Sequence, residues 1–248
     1  KLVKKLRSEG IKSFGLLDAW KGLYRFWKSN GILKNMPDIL FVFDKKVREY
    51  LKNKGINTKI KVIINPILSA LKDSKYSKRL IKKKVIKKLN LNVLKKNLFL
   101  FSEPIFIRND PSPFTFGEVS EISSNKDLLD YLEDKYDGSY NLILRNHPLD
   151  KQIKHQNWIY ANELTEIEIF ASSDLIIGVG STLLILAKIY GLNTQNFYKH
   201  LKLNPTQINY EKEIWDHLTV NLFSKPYLHN FENEDYLSYI QIEDYILN

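Results

Sequence analysis

Short apolar runs alternate along the chain with longer segments in which apolar residues recur every three or four positions. Apolar runs bounded by Asp, Asn, Pro or Gly are typical of buried strands, and the helical spacing is typical of amphipathic helices. The pattern predicts strands over residues 11–17, 39–43, 59–64, 97–101, 140–144, 158–161, 174–177 and 194–198. It predicts helices over 1–9, 45–54, 78–88, 125–136, 163–173 and 183–190. A proline-containing loop is predicted over 105–120.

The alternation of strands and helices predicts the fold class. Parallel strands need helical crossovers, so the pattern indicates an α/β fold built from Rossmann-like units with parallel sheets. Asn65-Pro66 follows the third strand, and we place a domain boundary there, giving domains 1–65 and 66–248. Because the chain opens with what looks like the end of a helix, we expect the N-terminal unit to be incomplete.

The most informative stretch is ASSDLIIGVGSTLLILAKIYG, residues 171–191. A short apolar strand leads into a glycine turn, the pair Ser181-Thr182 and an apolar run that ends at Gly191. This run is apolar nearly all round, so we expect its helix to be buried. Glycines such as Gly180 let a backbone approach an anion closely, and the first N–H groups of a helix favour negative charge. The stretch therefore indicates a phosphate-binding turn, although an ordinary strand-to-helix turn would give the same pattern.

Polar residues also follow other predicted strands. Ser102 follows one strand, and Arg145 and His147 follow another. Arginine offers a fork of donors to phosphate oxygens, and histidine can donate a hydrogen bond. Ligands collect at the carboxyl ends of parallel strands, so we expect these groups to share one anion site with the glycine turn. Each has a plain structural alternative as a turn or capping residue.

The positive charge of the chain gives limited support to an anionic partner. The formal net charge is +10, but only six of the 38 basic residues are arginines, so a general lysine bias explains much of it. Residues 78–88 carry seven positive charges along an apolar stripe formed by Leu80, Ile81, Val85 and Leu89. This segment is either a basic amphipathic helix that contacts an anionic membrane surface, or a solvated helix with its stripe on the core.

Absences narrow the expected chemistry. The chain has no cysteine, which excludes disulfides and thiol catalysis. No apolar run approaches the roughly 20 residues of a membrane-spanning helix, and we expect no signal peptide from the opening KLVKKLRSEG. We therefore expect a cytoplasmic protein, peripheral at most to the inner face of a membrane, with no nucleic-acid partner, no cofactor and no metal.

The order of the motifs resembles GT-B-fold proteins of surface-polysaccharide biosynthesis. These include capsule and polysialic-acid-type glycosyltransferases, CDP-glycerol glycerophosphotransferases and the UDP-N-acetylglucosamine 2-epimerases. The resemblance covers roughly residues 11–198 and rests on FGLLDAWKGLYRF, MPDILFVFD, KVIINP, FLFSEP, LILRNHP and ASSDLIIGVGSTLLILAKIYG. It implies two facing Rossmann-like domains, the second of which binds a nucleotide-sugar or CDP-polyol donor. It also implies that the acceptor is a glycan or a lipid-linked molecule.

The resemblance implies a role for each candidate residue. Asp18 and His147 are the expected catalytic residues. The donor phosphates are expected at Ser102, Arg145, His147, Gly180, Ser181 and Thr182. The acceptor side of the cleft is expected to contain Trp20, Arg25 and Glu103.

One residue departs from the family pattern. The glycine-Ser-Thr helix of the family commonly carries a glutamate that holds the ribose about five residues after the serine, and this chain has Leu186 there. The leading hypothesis is a glycosyl or polyol-phosphate transferase. Two alternatives stay open: a sugar-nucleotide epimerase, for which only Asp18 and Glu103 could supply acid–base carboxylates, and a degenerate protein that binds a partner without catalysis.

Overall fold

The computed structural model describes residues 2–17, 27–28, 31–32, 36–73, 77–102, 114–116, 119–122, 125–147, 153–178 and 181–196. It is a mixed α/β protein whose two larger sheets are parallel, as the sequence predicted. The described residues fall into two compact units, the first reaching Ser69 and the second beginning at Ala70. The domain limits 1–65 and 66–248 stay a prediction.

The first unit is organised around a three-stranded parallel sheet. Its elements are α1 (Leu2–Ser8), β1 (Phe14–Leu16), β2 (Trp27–Lys28), β3 (Gly31–Ile32), β4 (Ile39–Val42), α2 (Lys45–Asn53) and β5 (Lys59–Val62), and α3 (Pro66–Asp73) contains the boundary. The strand order is β1-β4-β5, and β2 pairs with β3 in an antiparallel ribbon. All four residues of the central strand β4 are buried. Asp44 caps α2, because its carboxylate accepts a 2.6 Å hydrogen bond from the Lys46 N–H.

The prediction of a buried strand over 11–17 was wrong in length and burial. Only Phe14–Leu16 forms a strand, and both Ile11 and Leu16 are exposed. The physical reason is the position of β1, which among the described strands pairs only with β4 and lies at the edge of its sheet. An edge strand has one free side, so an apolar run does not guarantee burial.

Asp38 joins α1 to the start of β4. Its carboxylate accepts hydrogen bonds from the Ser13 hydroxyl at 2.7 Å and the Ser13 N–H at 2.8 Å, and from Arg7 at 3.0 Å. These donors, the Ser13 hydroxyl first, lower the pKa of Asp38 from 3.8 to about 2. A carboxyl group whose pKa is lower in the folded state stabilises the fold above its unfolded pKa and loses that contribution as the pH falls.

We expect Asp38→Asn to make the free energy of unfolding depend less on pH under acid conditions. In the parent chain the stability falls further as the pH drops from about 4 to about 2, because Asp38 must be protonated there. Urea unfolding measured across that range should show a smaller drop for Asp38→Asn, whereas the exposed control Glu9→Gln should follow the parent. An equal drop in all three proteins would contradict the role given to Asp38.

The second unit is built on a five-stranded parallel sheet. Its elements are α4 (Lys78–Leu89), β6 (Lys96–Phe101), β7 (Phe114–Phe116), β8 (Val119–Ile122), α5 (Asn125–Tyr136), β9 (Tyr140–Arg145), β10 (Ile159–Tyr160), α6 (Glu166–Ser172), β11 (Leu175–Gly178), α7 (Thr182–Ile189) and β12 (Thr194–Asn196). The strand order is β10-β9-β6-β11-β12. The central strand β6 is buried from Asn97 to Phe101, and the core forms around it.

Most predicted elements are confirmed to within two residues at each end, and three differences have physical reasons. The predicted loop 105–120 contains β7 and part of β8, an antiparallel pair that begins after the last of its prolines. The helix predicted from residue 163 begins at Glu166, because Thr165 and Glu168 form a capping box. Leu80 is 69% exposed and does not join the stripe of α4, whereas Val85 is buried.

Membrane-spanning helices and metal-binding clusters are both absent from the described residues. No helix among them combines the length and hydrophobicity needed to cross a bilayer. In the same part of the chain, no group of three or more histidine or carboxylate side chains is arranged to hold a metal ion.

Candidate anion site at the carboxyl edge of the second sheet

Three neighbouring strands of the second sheet end at the same level. Arg145 of β9 lies opposite Phe101 of β6, and Phe101 lies opposite Gly178 of β11. Strands in a sheet are about 4.8 Å apart, so Arg145 and Gly178 are separated by roughly 10 Å across β6. The residues that follow these strands therefore meet at one edge, which includes the start of α7. This edge is the candidate anion site.

Ser102 joins two of the strand ends. Its N–H donates to the Arg145 carbonyl at 3.0 Å, and its hydroxyl oxygen accepts a 2.8 Å hydrogen bond from the His147 N–H. Ser102 is buried and His147 is half-buried. The serine therefore fixes the backbone that carries His147, a role that the sequence did not specify. Direct donation from Ser102 or His147 to a phosphate stays a prediction.

Arg145 is held by the start of α6. Its guanidinium donates to the Leu164 carbonyl at 2.9 Å and to the Glu166 carboxylate at 2.8 Å. The Glu166 carboxylate therefore offsets much of the positive charge that Arg145 brings to this edge. No local pattern pointed to this partner, because 21 residues separate the two side chains. Contact between Arg145 and a phosphate stays a prediction.

The start of α7 supplies the third component of the site. Ser181 is the N-cap residue, is buried, and makes no side-chain capping hydrogen bond. Thr182 begins the helix. The first N–H groups of any helix lack partners within the helix, and the helix dipole places a partial positive charge at this end. This geometry suits an anion, and the phosphate contacts of Ser181 and Thr182 stay a prediction.

Gly178 is the last residue of β11, and its surroundings show whether the fold itself requires a glycine there. Its φ lies outside the left-handed region, and an added Cβ would meet Leu184 and Phe101 at 3.8 Å, an ordinary contact distance. The fold itself therefore does not require a glycine here.

We expect Gly178→Ala to keep the thermal midpoint of the parent chain or raise it slightly, because alanine loses less backbone entropy on folding. If the edge binds a phosphate against the backbone, the same change should weaken nucleotide binding. Thermal melts and titrations on one preparation measure both effects. A large drop in the midpoint would contradict the steric part of this prediction.

Leu186 lies in the core rather than at the site. Its side chain is 1% exposed, in a helix whose residues Leu184, Ile185, Ala187 and Ile189 are also buried. The prediction that α7 is buried is confirmed. In this packing, the position that the family gives to a ribose-binding glutamate is not available to a ligand.

Several predicted site residues lie outside the residues that the structure describes. These are Asp18, Trp20, Arg25, Glu103 and Gly180. Their assignments to catalysis, to the acceptor side and to the phosphate turn stay predictions.

Asn146 is a further candidate residue at this edge, which sequence reasoning missed. Its N–H donates to the Asn162 side chain at 2.8 Å, and in the described structure neither polar atom of its own buried amide has a hydrogen-bond partner. Asn146 borders a cavity of about 410 Å³ next to the candidate site, lined also by Ile153, Lys154, His155, Gln156, Tyr160 and Asn162. Its place between Arg145 and His147 was the available signal.

Comparisons with known proteins return structural similarity only. No protein-family model matches the chain, and no curated protein is significantly similar to it. The chain is similar to a solved structure of the wall teichoic acid polymerase TagF, with 17% identity over 78% of this chain and 55% of that chain, and a TM-score of 0.47. A variant of TagF gives 17% identity over the same shares with a TM-score of 0.49. A TagF variant soaked with CDPG gives 18% identity over 85% of this chain and 48% of that chain, with a TM-score of 0.43. The chain thus spans about half the length of these TagF chains.

Proposed function

We propose that this protein is a transferase of surface-polysaccharide biosynthesis. It moves a glycosyl or polyol-phosphate group from a nucleotide-activated donor to a hydroxyl acceptor. One observation carries the proposal: Ser102, His147 and the start of α7 meet at the carboxyl edge of a parallel sheet. Such edges are where open α/β sheets bind ligands, and the order of sequence motifs points to the same donor class.

The donor phosphates bind at this edge in the proposed reaction. The first N–H groups of α7 and its dipole stabilise the negative charge that builds up as the bond to the nucleotide breaks. Ser102 holds the His147 backbone in place at this edge. His147 then hydrogen-bonds the departing phosphate, and Arg145 adds a fixed positive charge despite its contact with Glu166.

The acceptor is a glycan or a lipid-linked glycan. Its hydroxyl oxygen forms the new bond to the sugar carbon or to the phosphorus of the transferred group, while the bond to the nucleotide phosphate breaks. Asp18 accepts the proton of that hydroxyl in this proposal. Trp20, Arg25 and Glu103 belong to the acceptor side. The protein would act in the cytoplasm, at the inner face of a membrane.

A second candidate is favoured by one specific observation. Leu186 is buried in the core, so the chain lacks the carboxylate that the family uses to hold ribose. A chain of this kind could keep the fold and an anion site while it binds a partner without transferring anything.

Isothermal titration calorimetry with CDP and UDP separates the two candidates. We expect the parent chain to bind one of the two nucleotides and His147→Ala to lose roughly tenfold in affinity, the size of one hydrogen bond of about 1.4 kcal/mol. Lys52→Ala, a change at an exposed residue of α2 in the first unit, serves as the control and should bind as the parent does. If neither nucleotide binds to the folded parent chain, the transferase proposal is wrong and the non-catalytic candidate takes its place.

A further inference from the structure

The turn between α4 and β6 presents two large apolar side chains to solvent. Val93 is 74% exposed and Leu94 is 91% exposed, and they are adjacent in the chain. Isolated exposed apolar residues are common on protein surfaces, but an adjacent pair at such exposure is a candidate for contact with an apolar phase.

This turn is held rigidly. The Asn92 side chain accepts a 2.9 Å hydrogen bond from the Leu94 N–H. The Asn92 backbone exchanges two hydrogen bonds with the Asn141 amide of β9, at 2.9 and 3.1 Å. Asn90 ends α4 in the left-handed conformation with φ of 52°, and Leu91 is buried beside it. The fold therefore fixes this turn with Val93 and Leu94 outward.

Basic residues flank the turn on both sides, without any acidic residue between them. Residues 78–96 contain nine lysines and arginines, and residues 77–102 contain no Asp or Glu. Lys82 forms an ion pair with Asp174 at 2.9 Å, and Val85 is buried. One face of α4 therefore packs against the rest of the unit, including α6. Lys83, Lys87 and Lys96 are exposed.

We propose that this turn and its flanking lysines bind an anionic lipid bilayer. Val93 and Leu94 enter the boundary between headgroups and acyl chains, and the lysines contact the anionic headgroups. Apolar side chains on a polar surface bind membranes most firmly when a basic patch accompanies them, and each nearby lysine adds electrostatic attraction. The combination favours a bilayer over a nucleic acid or other polyanion, which offers no apolar phase to Val93 and Leu94.

The position of the turn also orients the second unit. The turn precedes β6, and the candidate anion site follows the same strand. At about 3.3 Å per residue, the six residues of β6 separate the two by roughly 20 Å. This step rests on the proposed function: the donor site then lies away from the bilayer. Such a position suits an acceptor whose hydroxyl end projects from a membrane lipid.

Vesicle co-sedimentation of the full chain tests the surface. The parent chain should sediment with phosphatidylglycerol vesicles, much less with phosphatidylcholine vesicles, and less again in high salt. Val93→Ser/Leu94→Ser should weaken the binding at least about tenfold, since the apolar contribution of two side chains is lost. Lys83→Gln/Lys87→Gln/Lys96→Gln should weaken it about a hundredfold.

Matched controls replace exposed residues of the same types elsewhere. Leu2→Ser and Lys4→Gln/Lys52→Gln/Lys126→Gln should sediment as the parent does. Thermal midpoints verify folding of every variant, and the Val93→Ser/Leu94→Ser variant should keep the nucleotide affinity of the parent. That last measurement separates failure of this inference from failure of the proposed function.

Three results would overturn the inference. One is a parent chain that does not sediment with phosphatidylglycerol. Another is a Val93→Ser/Leu94→Ser variant that sediments as strongly as the parent, which would make the surface a general polyanion site. The third is an equal loss from the lysine controls, which would reduce the effect to net charge.

Discussion

Leu186→Glu should unfold most of the second unit at neutral pH. The Leu186 side chain is 1% exposed among the buried residues of α7, and no described basic side chain is buried near it in the core. An ionised carboxylate placed there without a partner costs several kcal/mol, a large part of the roughly 5–15 kcal/mol that stabilises a typical domain. Burial would raise the pKa of the new carboxyl, so the loss of stability should shrink as the pH falls.

Urea unfolding followed by circular dichroism measures this effect. Leu186→Met is the matched control, because it keeps the volume and apolar character and should cost less than about 1.5 kcal/mol. The glutamate is the residue that the family resemblance would place at this position. If Leu186→Glu folds as well as the parent and binds CDP or UDP more tightly, the position faces a ligand and the core assignment of Leu186 is wrong.

The second large effect is expected at the ion pair between Arg145 and Glu166. Arg145→Ala removes both the cation and the hydrogen bonds to Leu164 and Glu166. A charge-assisted hydrogen bond contributes about 1.5–3 kcal/mol, so nucleotide affinity should fall about ten- to a hundredfold if the guanidinium also contacts phosphate. Glu166→Gln breaks the same ion pair but keeps the cation, and it should leave nucleotide affinity unchanged or raise it a few-fold.

Comparison of the two variants separates a ligand contact from a structural role. Calorimetry with CDP and UDP gives the affinities, and urea unfolding gives the stabilities. If Arg145→Ala and Glu166→Gln reduce the affinity equally, Arg145 acts only by fixing the start of α6, and its assignment to the phosphate site falls.

Much of the fold follows from local pattern. The apolar runs of β4, β6, β9 and β11 lie in buried strands. Their alternation with amphipathic segments is what predicts an α/β fold with parallel sheets. The start of a helix is predictable from the sequence where the capping residue directly precedes the helix, as Asp44 precedes α2. The capping box of Thr165 and Glu168 was equally local and was overlooked.

The candidate site was only partly readable in this way. Ser102, Arg145, His147 and Ser181 were singled out because each follows an apolar run, and parallel pairing brings three such ends to one level. Their hydrogen-bond partners were not predictable. The contacts of Arg145 with Glu166, of Ser102 with His147 and of Asn146 with Asn162 join residues 16 to 45 positions apart.

The sequence by itself determined most of the strands and helices, the burial of most of α7, and which strand ends carry polar residues. These properties depend on side-chain type and spacing along one segment. Only the tertiary structure decided that β1 is an edge strand, that Leu80, Val93 and Leu94 face solvent, and that the charge of Arg145 is offset by Glu166. Exposure and charge pairing depend on which segments pack together, and distant parts of the chain set that packing through contacts that no local pattern encodes.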